Sequence, residues 1–220
     1  MDRGLRRVWL GAATALAATL LAGAAVARTR DPDPAEVDWR AVATSEDRLR
    51  LREWRDAWVK ALAQVRADPA GAATIAADPV LFDPDRVVRG EILAPGVYRC
   101  RTYRLGGNGA ERLAGTAPAP RALLSGAWTA CRVEGQGTKR RFATDGVQRA
   151  SGILFDSTDS RTIFLGTLAL GDEARPMRYG RDPRRDMAGF VERIGEARWR
   201  LVLPFPGFQS TLDVVEIVPA

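Results

Sequence analysis

At 220 residues and 46% hydrophobic content the chain has enough apolar side chain for a packed core, which excludes a disordered tail. Its formal charge is +6, with 33 Lys and Arg interspersed among 27 Asp and Glu, and the lack of a cationic stripe carrying aromatics argues against a nucleic-acid binder. There is no histidine, so Ser-His-Asp and Cys-His nucleophile systems, His-based zinc sites and the ordinary near-neutral proton shuttle are excluded.

The first 27 residues have the pattern of a signal peptide. Arg3, Arg6 and Arg7 form a positive start, WLGAATALAATLLAGAA is the apolar run, and Ala25-Val26-Ala27 is a small-x-small cleavage pattern. The mature chain is expected to begin near Arg28. Residues 1–27 hold three arginines and one aspartate, so their removal lowers the formal charge from +6 to +4. No cysteine at the cleavage point offers a lipid anchor, and no later segment supplies the roughly 20 apolar residues a spanning helix needs. The expectation is an exported protein, periplasmic or extracellular, with no stable membrane insertion after cleavage.

Residues 28–44 carry prolines and charges and are expected to form an irregular leader. A helical segment packed on the rest should occupy residues 45–94. Thr44 and Asp47 fit a capping box, and Leu51, Trp54, Trp58, Ala61, Leu62 and Val65 recur at three- and four-residue steps, which predicts one helix from about Ser45 to Arg66. The tryptophans lie on that apolar stripe and are read as core. PAGAATIAAD reads as a short second helix, and DPVLFDPD as turn-rich and extended.

From 95 to 220 the texture becomes β-rich. Strands are predicted at 96–105, 125–134, 138–144, 147–155, 161–170, 187–194, 197–204 and 210–219, joined by short turns such as Asp145-Gly146 and Gly195-Glu196. In RWRLVLP, Trp199, Leu201 and Leu203 share one face and Arg198, Arg200 and Val202 the other, the alternation of a half-buried antiparallel strand. About eight sequential antiparallel strands are best satisfied by an up-and-down, lipocalin-like barrel, making the chain mainly β with an N-terminal helical segment, an α+β class.

Four acidic residues flank the 161–170 strand, but Asp156 and Asp159 belong to a turn, and Asp172 and Glu173 begin the loop at the other end. Ten strand residues separate the two groups by about 30 Å, so they form no common site. Cys100 and Cys131 are the two cysteines, and an even count in an exported chain favours a disulfide between them. If they lie directly opposite, Arg99 faces Arg132 and Leu105 faces Gly126.

Two connections are long enough to carry function, 106–124 and the arginine-dense 171–186. Both follow odd-numbered strands of a meander and should leave the barrel at the same end, with the turns at 145–146, 156–160 and 195–196 assigned to an inert opposite end. Arg178, Tyr179 and Arg181 are the candidate contacts for an anionic group, with 106–124 as a lid.

PGVYRCRT, ACRV, SGILFDSTDSRTIFLGTLALGDE, YGRDPRRDMAGFVERIG and RWRLVLPFPGFQSTLDVVEIVPA together resemble the exported bacterial family called domain of unknown function 4893, over roughly residues 39–220. The resemblance implies secretion and a shared fold. More loosely, the barrel resembles lipocalin-like carriers and small periplasmic protease inhibitors. Gly126-Ala127-Trp128 matches the lipocalin Gly-x-Trp, although on the second predicted strand rather than the first.

These readings predict a non-enzymatic, monomeric exported barrel without metal or cofactor. It would bind an apolar or amphipathic anionic envelope molecule in its interior or mouth. The alternative is an interaction or inhibitor-type protein docking on a periplasmic protein. An enzyme would have to work with carboxylates, tyrosines and arginines.

Overall fold

The computed structural model of the protein describes residues 38–90, 93–107, 121–137, 140–207 and 210–220. Its helices lie at the N-terminal side: α1 (Trp39–Val42), α2 (Ser45–Arg52), α3 (Trp54–Arg66), α4 (Pro69–Ala77) and α5 (Pro79–Phe82). Their starts are written in the sequence. Thr44 Oγ1 accepts from Asp47 N (3.1 Å), and Asp68 and Asp78 cap α4 and α5 with proline at the first helical position. The predicted helix from Ser45 to Arg66 is divided at Glu53 (φ −89°, ψ 14°). The break lets the two halves follow a curved surface, α2 resting on the strand at 186–195 and α3 on three strands beyond it. The end of the expected leader contributes α1, and DPVLFDPD turns helical as α5 because Asp78 and Pro79 are a cap and a first-turn proline.

The strands are β1 (Gly96–Leu105), β2 (Leu123–Ser125), β3 (Thr129–Glu134), β4 (Arg141–Thr144), β5 (Gln148–Asp156), β6 (Arg161–Leu170), β7 (Asp186–Gly195), β8 (Arg198–Pro204) and β9 (Leu212–Pro219). Antiparallel pairing runs β1-β3-β4-β5-β6-β7-β8-β9, and β9 pairs back along Tyr98–Leu105 of β1, closing an eight-stranded barrel. The second predicted strand is in two pieces. β3 pairs with the first half of β1 and β2 with the second half on the same edge, and residues 126–128 step between them.

The barrel interior is filled by Tyr98, Phe142, Leu154, Phe164, Leu201 and Val215 among others. Cys100 and Cys131 are joined within this core, with Cα atoms 5.8 Å apart. Their register differs from direct opposition: Cys131 faces Tyr98 and Cys100 faces Thr129, so the disulfide runs diagonally. Arg99 accordingly faces Ala130 and Leu105 faces Leu123. A cross-strand glycine pair makes room for one core ring. Gly152 faces Gly166, and a Cβ at either would meet the Phe164 ring at 2.6 or 2.5 Å.

The outer wall is also covered over much of its circumference. Leu51 and Ala43 pack with Phe155, Ile163, Leu165 and Phe190, while Trp58, Leu62, Val65 and Leu81 pack with Leu105, Val202 and Val214. Trp58 is 0% exposed, and Trp54 meets Phe190 edge-on at 6.1 Å. The second face of β8 is therefore buried rather than solvated. Arg200, 0% exposed, donates to Glu192 Oε2 (2.9 Å) and to the carbonyls of Leu81, Asp83 and Arg86 at 2.7–3.2 Å, tying the segment after α5 to the barrel. Beside it, Arg198 binds Asp78 and Glu216.

Candidate functional site

The register places Leu105, Thr144, Gln148, Leu170, Asp186, Pro204 and Leu212 at one end of the barrel. Connections 106–122 and 171–185 thus leave at the same end, as strand parity predicts. The Asp145-Gly146 turn, following β4, lies at that end too and not at the opposite one. The lid assigned to 106–124 rests largely on residues 108–120, which lie outside the described residues.

The mouth itself is narrow. It is lined by Arg104, Gln148, Leu168, Arg185, Met187 and Asp213, with Pro206 and Gly207 over it, and its cavity of about 20 Å³ is water-sized. Among the described residues the interior behind it is packed, and a second, open depression of about 280 Å³ at this end is lined by Thr102, Arg104, Thr129, Thr144 and Gln148. Asp213 is 7% exposed; it accepts from Ser210 Oγ (2.6 Å) and lies 4.0 Å from the Arg104 guanidinium. Burial pushes its pKa up from 3.8 to about 6, against the opposing pull of Ser210 and Arg104. Arg104 also donates to Gln148 Oε1.

A larger space lies on the outer wall, beneath the loop that leaves this end. A groove of about 550 Å³ runs over β4, β5 and β6, bounded by α1 and by residues 176–179. Its floor is Ile153, Phe155 and Leu165 with Ser151 and Thr167, and Val42, Pro176 and Met177 form apolar walls. Arg141 and Arg178 also line it, both exposed, and among the described residues neither has an ion-pair partner. Thr167 is 3% exposed and its Oγ1 has no hydrogen-bond partner. An orphan hydroxyl of this kind costs about 1–3 kcal/mol until something satisfies it.

The segment over the groove is pinned at both ends. Glu173 accepts from Leu170 N (2.9 Å) and from Arg185; the Leu170 amide, and after it the guanidinium, hold its carboxyl below the usual range. At the other end Tyr179 donates to Asp47 Oδ2 (2.5 Å) and accepts from Thr44 N (3.0 Å). Burial, and then the Asp47 carboxylate, push the phenol well above its usual pKa, so it stays a donor. Arg50 reinforces the anchor through Asp47 Oδ1 (2.9 Å), the Asp186 carbonyl (2.9 Å) and the Pro183 carbonyl (3.2 Å). Asp186 accepts from Gly180 N (2.9 Å), and burial raises its carboxyl pKa.

The three residues singled out from sequence therefore separate. Arg178 lines the groove. Tyr179 contributes its ring to the wall, while its hydroxyl is committed to Asp47 and Thr44. Arg181 sits in the same turn, its N–H donating to the Arg178 carbonyl (3.3 Å), but its exposed side chain is outside the groove lining. Sequence reasoning missed Arg141, Ser151 and Thr167; outward-facing positions at alternate steps along 141–155 were the signal for two of them. Asp156, expected in the turn, is the last residue of β5, facing Thr162 and paired with Arg140, while Asp159 lies in the turn and pairs with Arg89. Among the described residues no cluster of three or more acidic or Cys side chains suits a metal, and no helix is long and apolar enough to cross a membrane.

The family model described as Domain of unknown function (DUF4893) matches residues 39–217. The chain belongs to that family. No curated protein and no solved structure matches the chain, so the looser likeness to lipocalins rests on barrel architecture alone. For this DUF4893 member the groove and the mouth are the places where geometry, rather than family, has to speak.

Proposed function

We propose that this protein is an exported, non-enzymatic barrel that binds an amphipathic anionic envelope molecule, and that it does so in the outer groove rather than in its interior. One observation carries the reading: an apolar floor of Ile153, Phe155 and Leu165 lies beside Arg141 and Arg178, two cations without partners among the described residues. At about 550 Å³ the groove falls within the usual range for small-molecule sites. Export is supported by the charged, apolar and small-x-small pattern of residues 1–27 and by the Cys100–Cys131 disulfide, which suits an oxidising compartment. The absence of histidine from the sequence supports binding over catalysis.

Mass spectrometry of small molecules retained by protein purified from the periplasm tests this. An anionic amphiphile should co-purify with the wild type and be depleted in Arg178→Glu. Equal recovery from both, with the variant folded, would overturn the groove assignment. The second reading, docking on a periplasmic protein, draws on the filled barrel interior and would be favoured by stoichiometric recovery of one protein partner with no small molecule.

A further inference from the structure

Resting on the groove reading above, we infer that the ligand is a single-chain amphiphile with a carboxylate or phosphate head, and that the head sits over the Ser151–Thr167 row while the chain runs along Ile153, Leu165 and Phe155. The polarity of the outer wall is ordered by register. Of the groove's rows, the one in which Ser151 faces Thr167 across β5 and β6 is nearer the mouth, and the next row along pairs Ile153 with Leu165. Phe155 and Ile163 form the row after that. Successive rows are about 7 Å apart along a strand, so hydroxyls give way to hydrocarbon over about 13 Å. A molecule polar at one end and apolar at the other matches that gradient in one orientation only.

Charge selects the head group. Arg141 stands opposite Ile153 on β4, diagonal to Ser151, and Arg178 closes the groove from the loop side. No acidic side chain is among the groove's described lining residues, so a cationic head would meet two guanidiniums and no counter-charge. The Thr167 hydroxyl on the groove floor is closed off from solvent and without a partner, and by turning toward an anionic head it would gain one. Ser151 lies across the strand from it and adds a second hydroxyl.

The groove's size suits one chain. About 550 Å³ over three rows of floor gives room for a head and one hydrocarbon chain laid along it. Met177, an unbranched and adaptable side chain, forms part of the roof.

Calorimetric titration of the folded chain with decanoate, decyl phosphate and decyltrimethylammonium, each below its micelle concentration, tests the inference. Decanoate or decyl phosphate should bind at least ten-fold more tightly than the cation, and the tighter of the two identifies the head. Thr167→Val should weaken the preferred anion three- to ten-fold while leaving thermal stability equal or higher. A merely orphaned hydroxyl would give the stability change without the affinity change. Arg141→Glu should weaken the anion at least ten-fold. Ile153→Trp fills the groove and should abolish binding of every probe, with Val42→Trp as the second filling variant should the first fail to fold. If the filling variants abolish binding but anion and cation bind alike, the head-group assignment is wrong and the groove stands. If neither filling variant changes binding, the groove reading itself fails, and no binding of either anion overturns the inference as a whole.

Discussion

Replacing Asp213 by Asn asks whether a carboxyl at the barrel mouth is held protonated by the fold. The side chain is buried beside Ser210, and its folded pKa is about 6 against 3.8 when solvated. A folded pKa above the unfolded one means that the native state binds the proton more tightly. The stability gained is therefore complete below about pH 3.8 and is lost as the pH rises through about 6. Each pKa unit is worth 1.36 kcal/mol, so the rise amounts to about 3 kcal/mol, nearly all of it lost between pH 4 and pH 7. Asparagine keeps an acceptor for Ser210 and almost the same volume but never ionises. Urea unfolding followed by tryptophan fluorescence, repeated from pH 4 to pH 8, gives the stability difference between variant and wild type at each pH. That difference should shift in favour of Asp213→Asn by about 2–3 kcal/mol over the range. A difference that stays flat would show that the carboxyl ionises freely, and one that grows as the pH falls would show that the ionised form is the stabilised one.

Other expectations are measurable on the same preparation. Replacing Cys100 and Cys131 by Ala opens a link between positions 31 apart and should cost about 3–4 kcal/mol in denaturant unfolding, while thiol labelling of the native oxidised protein should find no free cysteine. Trp58→Ala removes a side chain with no exposure and should cost about 3–5 kcal/mol; an unchanged Tm would show that α3 does not hold to the barrel. Glu192→Gln leaves the buried Arg200 guanidinium without a full counter-charge and should cost about 3–5 kcal/mol, read by the same denaturation. Tyr179→Phe deprives Asp47 and Thr44 of a partner, and hydrogen exchange should quicken in residues 174–179 while amides of β6 keep their protection.

The barrel was legible because its strands alternate with turns whose chemistry is local. Asp145-Gly146 and Gly195-Glu196 fall where the chain reverses, and β1 and β6 have the predicted limits. What failed depended on partners distant in sequence. The two cysteines suggested direct opposition, but a diagonal bridge satisfies the same Cα separation, and nothing in either strand distinguishes the two registers. Arg198 and Arg200 were read as the wet face of β8 because period-two alternation reports a difference in polarity, not where water is. Here the polar face is as deeply buried as the apolar one, its charges met by Glu192, Glu216 and Asp78.

The site was half legible for a related reason. The 171–186 loop stood out by length and arginine content, and Arg178 does reach the groove, but composition could not say which of its cations are already spent. Arg185 is held by Glu173 and Asp182, and the Tyr179 hydroxyl by α2, a helix more than 120 residues earlier in the chain. These contacts fix the loop so that Arg178 can be left over. The floor of the groove reads as ordinary sheet surface, and Arg141, Ser151 and Thr167 acquire meaning only when closure of the barrel brings β4, β5 and β6 side by side beneath that loop. Among the described residues the barrel interior is packed by its own disulfide and aromatic rings, which turns attention to its outer wall. Helices cover much of that outer wall, and the groove is where the pinned loop leaves cations and hydrocarbon together.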